Sequence, residues 1–247
     1  MWTLGFDSTT ATVTASLLND GVQIASYSAM SGTSHSTTLL PAIEDLLKAA
    51  GITVKELNLI SCSAGPGSFT GVRIGVATAK GLAAPFDIPC IGVSSLEAMA
   101  YMFSDIPCVI CPVIGARRGN VYSAVFSSDG KGNVTRLADD DLIAITDVKD
   151  FVNGCTSHIE ESLHLYFTGD SVSECYEADG GLNTVKLTET PVELAAPTGY
   201  GVAACGYRKF KSSGENTELY SEATLLPIYL RKSQAEREKE ERQLKRN

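Results

Sequence analysis

The sequence predicts an α/β fold built twice over, with two mixed-sheet halves and helices on their faces. Three observations carry this. In the first hundred residues, apolar residues alternate at period two and then recur at helical spacing. A looser version of the same β-β-β-α rhythm returns in the second hundred. And 44% of the 247 residues are apolar, enough for a sizeable core in one large domain or two small ones.

The chain opens as a β-meander. Residues 2–6 are a short apolar run. Thr12, Thr14 and Ser16 then alternate with Val13, Ala15 and Leu17, as in a half-buried strand. Asn19-Asp20-Gly21 signals a tight turn, and 22–28 return as a third strand. Leu39, Leu40, Ile43, Leu46, Leu47 and Ala50 recur at helical spacing, with Gly51 placed to end the helix. Residues 57–63 read as a short strand stopped by Gly65-Pro66-Gly67. A helix follows over 71–84 with Pro85 just beyond it, then a strand over 88–93 and a helix over 95–103.

The second half begins after a boundary between 101 and 107. Strands are expected over 108–114, 120–127 and 134–137, with Asp129-Gly130 as a turn. A helix near 147–154 precedes a strand over 163–168, stopped by Gly169-Asp170. Further helices start near 171 and run over 198–210. The expected division is therefore 1–103 and 107–230, with a charged tail over 231–247 read as disordered or a frayed helix.

Charge and cysteine content narrow the function classes. The formal net charge is −9. From 231 to 247, seven Lys/Arg against four Glu give +3, which leaves −12 for residues 1–230. Such a body repels phosphate backbones, so direct, tight nucleic-acid binding is not expected of it. No basic residue precedes the apolar run at 2–6, and no stretch reaches the roughly 20 apolar residues that a membrane span requires. The seven scattered cysteines read as reduced thiols of a cytoplasmic protein.

Gly65-Pro66-Gly67-Ser68-Phe69-Thr70-Gly71 is the most informative segment. It joins a strand to a helix, where backbone amides can receive an anion. It lacks the Gly-Lys-Ser/Thr of a P-loop and the glycine spacing of a dinucleotide site. Two readings stay open, a structural turn needing positive φ at glycine or a phosphate or partner contact. Asp7-Ser8-Thr9-Thr10 follows the first strand. In ATPases of the actin, hexokinase and heat-shock class, this turn pairs an Asp with a glycine that admits the phosphates. Thr9 stands where that glycine would help, so the segment reads as a degenerate phosphate loop, with an ordinary turn as the alternative. Cys108 and Cys111 have CxxC spacing inside a strand, which turns them to opposite faces and makes them buried thiols. His35, His158 and His164 show no metal-pair spacing. His35 reads as a polar cap for the helix behind it.

The run from Gly65 to Gly71, continued by Val72-Arg73-Ile74-Gly75, resembles the TsaB (YeaZ) family of bacterial tRNA threonylcarbamoyladenosine synthesis. Asp7-Ser8-Thr9, His35-Ser36, Leu39-Leu40-Pro41, Thr168-Gly169-Asp170 and Pro227-Ile228-Tyr229-Leu230-Arg231 also match. The resemblance covers about residues 2–231. It implies the actin/hexokinase/heat-shock ATPase-like (ASKHA) fold and a role as non-catalytic partner of the catalytic subunit TsaD, joined by the ATPase TsaE. TsaD transfers the threonylcarbamoyl group to the adenosine beside the anticodon, so tRNA would be met only through the complex. TsaD carries an HxxxH metal pair, whose positions fall here on Ser95 and Met99. Neither replaces an imidazole, so no metal and no cofactor are expected. Gly180-Gly181 lacks the sequel of the TsaD nucleotide motif.

The helix over 71–84 is rich in small residues, and each internal glycine costs it about 1 kcal/mol relative to alanine. Val72, Val76 and Ala79 recur along one side with Arg73 and Lys80 flanking, and the earlier helix adds Leu39, Leu40, Ile43 and Leu47. Packing against the chain's own sheet accounts for one face of this helix, and the face with Val72, Val76 and Ala79 is expected, from the resemblance, to meet its counterpart on TsaD, or on a second copy in a homodimer when TsaD is absent, with burial of Val76 in the chain's own core as the alternative. The alternative for the whole chain is a stand-alone ASKHA ATPase or small-molecule kinase. Metalloprotease chemistry lacks its ligands.

Overall fold

A computed structural model describes residues 1–30, 35–159, 163–178 and 180–230. The charged tail at 231–247 lies outside them.

The first sheet holds β1 (Trp2–Asp7), β2 (Thr12–Asn19), β3 (Val22–Met30), β4 (Leu59–Gly65) and β5 (Cys90–Ser94) in the order β3-β2-β1-β4-β5. β1 pairs antiparallel with β2 and parallel with β4. The second sheet holds β6 (Pro107–Gly115), β7 (Asn120–Asp129), β8 (Val134–Ala144), β9 (His164–Gly169) and β10 (Lys186–Leu187) in the order β10-β9-β6-β7-β8. β6 likewise pairs antiparallel with β7 and parallel with β9. Read from β8 to β10 the second sheet repeats the first, as the sequence rhythm predicts.

Helices α1 (His35–Ala50) and α2 (Phe69–Ala83) cover one face of the first sheet. α4 (Val148–Thr156) and α5 (Val172–Glu177) cover the outer face of the second. Between the sheets lie α3 (Ser95–Ala100) and α6 (Gly199–Ser212). α6 returns from the second half to the first sheet: Ser61 Oγ donates to Val202 O at 3.0 Å, and a Cβ on Gly5 would sit 2.5 Å from Ala203 Cα. The first half is thus completed by residues from beyond 198, across the division expected at 107. Glu97 of α3 meets Lys209 of α6 at 2.7 Å and Arg136 of β8 at 3.4 Å, which ties the layers together.

Two local outcomes differ from the sequence reading. α2 begins at Phe69 because Ser68 Oγ accepts from Gly71 N at 3.3 Å and caps it. β8 runs on to Ala144 through Asp139-Asp140-Asp141, where only 134–137 were expected. Antiparallel pairing with β7 carries it through, and Arg136 Nη1 donates to Asp140 Oδ1 at 2.5 Å. Cys108 and Cys111 do turn to opposite faces of β6, into different clusters of the core.

Candidate functional site

A cleft of about 860 Å³ lies between the halves. Thr9, Thr10, His35, the 66–70 loop and Arg73 line it from the first half, and Ala116, Arg117, Tyr122 and Asp170 from the second. The segment Ile228, Tyr229 and Leu230 runs along its edge.

On the first-half wall the loop after β1 is closed upon itself. Asp7 is fully buried. Its Oδ1 accepts from Thr9 N at 2.7 Å and lies 3.0 Å from Thr9 Oγ1, an Asx-type turn. Burial raises the Asp7 carboxyl above its ordinary range, while hydrogen bonding, with Thr9 among the donors, works against that rise. Ser8 Oγ donates to Gly71 O at 2.8 Å, and Ser68 N donates to Thr9 O at 2.7 Å. These bonds zip the 7–10 loop to the 65–71 loop. Gly67, at φ +153°, leaves room for Thr9: a Cβ there would lie 2.7 Å from Thr9 Cβ. Gly65 has φ +112° beside Ile228 O. Glycine is thus demanded by close approach and left-handed backbone, which supplies the structural reading of this loop. His35 Nε2 lies 2.8 Å from Thr10 O, so the ring ties α1 to the same loop, where a helix cap was expected.

Phe69 and Arg73 form the mouth. The Arg73 guanidinium lies 3.8 Å over the Phe69 ring, and its Nε donates to Tyr229 OH at 3.0 Å. Ile228 N donates to Ala64 O at 2.7 Å, which pins the C-terminal segment to the end of β4.

The second-half wall was missed by the sequence reading. After β6 the turn Arg117-Arg118-Gly119 is left-handed throughout, at φ +66°, +59° and +72°. Asn120 Nδ2 donates to Arg118 O at 3.2 Å and holds the turn. Asp170 Oδ1 accepts from Gly115 N at 2.7 Å. The readable signal was position: Arg117 stands two residues past the sixth strand, as Thr9 stands two residues past the first.

Ser95 and Met99 are both fully buried. Ser95 Oγ lies 3.2 Å from Thr9 Oγ1, and Met99 packs with Leu96, Phe103 and Ile110. Gly180 and Gly181 lie in the loop between α5 and β10, with no helix behind them. Among the described residues no group of three His, Cys, Asp or Glu could hold a metal.

The expected partner face needs correction. Val72, Val76 and Ala79 of α2 and Leu39, Ile43 and Leu47 of α1 are buried in this chain's own core against Leu4, Phe6, Val13 and Leu17. The stripe at i, i+4 and i+7 is the sheet-facing stripe, because burying it against the sheet removes the most apolar area from water. Of the residues named for the interface, Leu40 and Arg73 are exposed and Lys80 is half-buried.

A family model described as TsaD, tRNA N6-adenosine threonylcarbamoyltransferase, matches residues 29–239. The tRNA threonylcarbamoyladenosine biosynthesis protein TsaB of Bacillus subtilis is 39% identical over 126 residues, covering 51% of this chain and 55% of that protein. The chain spans about half the length of the curated relatives it matches. Among solved structures, YeaZ from Pseudomonas aeruginosa superposes with a TM-score of 0.74 at 22% identity, covering 93% of this chain and 99% of that one. Component A of the Acidaminococcus fermentans (R)-2-hydroxyglutaryl-CoA dehydratase superposes with a TM-score of 0.51 at 14% identity, covering 85% and 98%. These likenesses establish the two-sheet ASKHA fold.

Proposed function

This chain belongs to the TsaD family, on its TsaB/YeaZ side, and from that premise we propose that it is a non-catalytic partner subunit in threonylcarbamoylation of tRNA adenosine. The observation that carries this reading is the closed loop after β1. Asp7 spends its carboxylate on Thr9, and Thr9 fills the space beside Gly67. Ser95 and Met99, at the positions of the TsaD metal pair, are built into the interior. At positions 7, 95 and 99 there is neither a free carboxylate nor an imidazole to hold a metal against a phosphate.

In this proposal the chain pairs with a TsaD-like catalytic subunit, is joined by a TsaE-like ATPase, and forms a homodimer when alone. It meets tRNA only through the complex, in the cytoplasm, and holds no cofactor. The pairing surface is the outward flank of α1 and α2. Leu40 is 43% exposed there, Ala77 is exposed, and a Cβ on Gly81 would meet nothing within 4 Å. Small, open helix positions suit close approach of a second helix pair.

The test is capture of a TsaD-like subunit by the full chain, with tRNA modification assayed with and without it. Modification that proceeds undiminished without the chain, or ATP turnover by the purified chain alone, overturns the reading. Leu40→Glu together with Lys80→Glu is expected to leave the melt unchanged and abolish capture, whereas Val76→Glu is expected to unfold the chain by burying a carboxylate.

A further inference from the structure

The cleft between the halves has the opposite sign of charge to the body around it. With −9 in the whole chain and +3 in the tail, residues 1–230 carry −12. The cleft lining holds Arg73, Arg117 and His35 against one acid, Asp170, whose Oδ1 already accepts from Gly115 N. Arg73 and Arg117 are both exposed, stand one on each wall, and make no ion pair among the described residues. Arg73 is set in place without a carboxylate. Its guanidinium lies over the Phe69 ring and its Nε donates to Tyr229 OH, which leaves both Nη groups without an acceptor among the described residues.

The rim beside these charges is apolar. Phe69, Ile228, Tyr229 and Leu230 are each 36–44% exposed, and the Phe69 and Tyr229 rings lie 4.9 Å apart. Neighbouring apolar side chains left in water mark a surface that another molecule covers, and arginine among aromatic rings is the composition of a protein-interface anchor. A nucleotide fits poorly: Thr9 N and Ser68 N, amides that would cradle its phosphates, are spent on Asp7 and on Thr9 O. A nucleic-acid strand meets a body of −12. The chain's own tail over 231–247, at +3, has the same sign as the cleft.

We propose that this cleft takes an extended acidic peptide segment of a partner protein. Its carboxylates pair with Arg73 and Arg117, and its apolar side chains cover Phe69, Ile228, Tyr229 and Leu230. Guanidinium and carboxylate can pair bidentately, and Ile114 and Tyr122 in the same lining shield such a pair from water better than an open surface does. None of Leu40, Ala77 and Gly81 lines the cleft, so this surface and the proposed pairing flank of α1 and α2 can be broken separately.

The probe is a capped hexapeptide of alternating glutamate and leucine, titrated into the full chain and followed by amide NMR. The contrasts are the same peptide with lysine in place of glutamate, and ATP. The acidic peptide is expected to shift the amides of Arg73, Arg117 and Tyr229 saturably, the lysine peptide to shift none of them, and ATP to bind more weakly than the acidic peptide. Arg73→Met removes the charge and keeps an alkyl stem over Phe69. Arg117→Asn removes the charge with a residue that tolerates left-handed backbone. Each is expected to weaken the acidic peptide by about tenfold. Arg118→Asn is the control, in the same turn but outside the cleft lining, and is expected to leave binding unchanged. Absence of saturable shifts at these amides, an equal response to the lysine peptide, tighter binding of ATP, undiminished binding in either cleft variant, or an equal loss in Arg118→Asn overturns the assignment. The wild-type contrast between the two peptides decides even where a variant fails to fold.

Discussion

The turns after β1 and after β6 occupy equivalent places in a duplicated sheet, and they have gone opposite ways. The first is sealed. Asp7, Ser8 and Thr9 spend their polar groups on one another and on the 65–71 loop. The second is open and charged. Arg117 lines the cleft and Arg118 follows it in the same left-handed turn, held by Asn120. A fold that binds a ligand between two such turns needs both to offer free donors. Here the turn of one half has become packing while the turn of the other keeps charge at the surface.

The largest expected effect breaks the seal. Gly71 stands over the Ser8 carbonyl, and a Cβ there would collide with its backbone oxygen. Gly71→Ala must push the two loops apart and is expected to cost about 3 kcal/mol. At the open turn, Gly119 has empty space around its Cβ position but φ +72°. Gly119→Ala is expected to cost only the left-handed strain, about 1 kcal/mol. Chemical denaturation of both variants checks the contrast. Equal costs would mean that the first loop is no tighter than the second.

Much of this was legible in the sequence. Helical spacing in α1 reports burial directly and the alternation over 12–17 reports a strand, so the elements and the duplication could be read; the half-buried strand expected there is buried on both faces, because α6 covers the side that carries Thr14 and Ser16. What could not be read depends on tertiary placement. Val72, Val76 and Ala79 announce an apolar stripe, but a stripe does not say whether sheet or partner covers it, and the sheet does. Asp139-Asp140-Asp141 looks like a loop until β7 and Arg136 hold it as strand. Arg117 and Arg118 have no propensity for left-handed backbone, so a turn of that kind is invisible until Asn120 is seen bracing it. The return of α6 to the first sheet depends on Gly5 and Gly199, whose value lies in what approaches them.

A second prediction uses the buried carboxyl. Burial raises the Asp7 carboxyl in the folded chain. The folded state therefore binds more protons than the unfolded state in the window above the ordinary Asp value of about 3.8. Stability from this group is fully present below that value and is lost as pH rises towards the folded value, by at most about 1.4 kcal/mol per pH unit. Asp7→Asn removes that dependence, so the variant is expected to gain on the wild type as pH rises from 4. A difference between the two melts that stays flat with pH would show the sealed loop to be solvated.

The smallest effect concerns the open turn and has the opposite sign. An L-residue in left-handed backbone costs roughly 1–2 kcal/mol. Glycine adopts it freely but gives up roughly 0.4–1 kcal/mol of unfolded-chain entropy on folding. Replacing a strained arginine by glycine should therefore stabilise by about 1 kcal/mol net. Neither Arg117 nor Arg118 makes an ion pair among the described residues, so little in the fold offsets that gain. Arg117→Gly with Arg118→Gly is expected to raise the melting temperature by roughly 2–4 °C for each residue relieved. On the proposed function the same variant should also lower tRNA modification by the complex, because the charge that Arg117 holds at the cleft is gone. This pairing of higher stability with lower activity separates a recognition turn from a structural one. If the double variant melts lower than the wild type, the arginine side chains contribute more to the fold than the strain takes away, and the second turn is packing as the first one is.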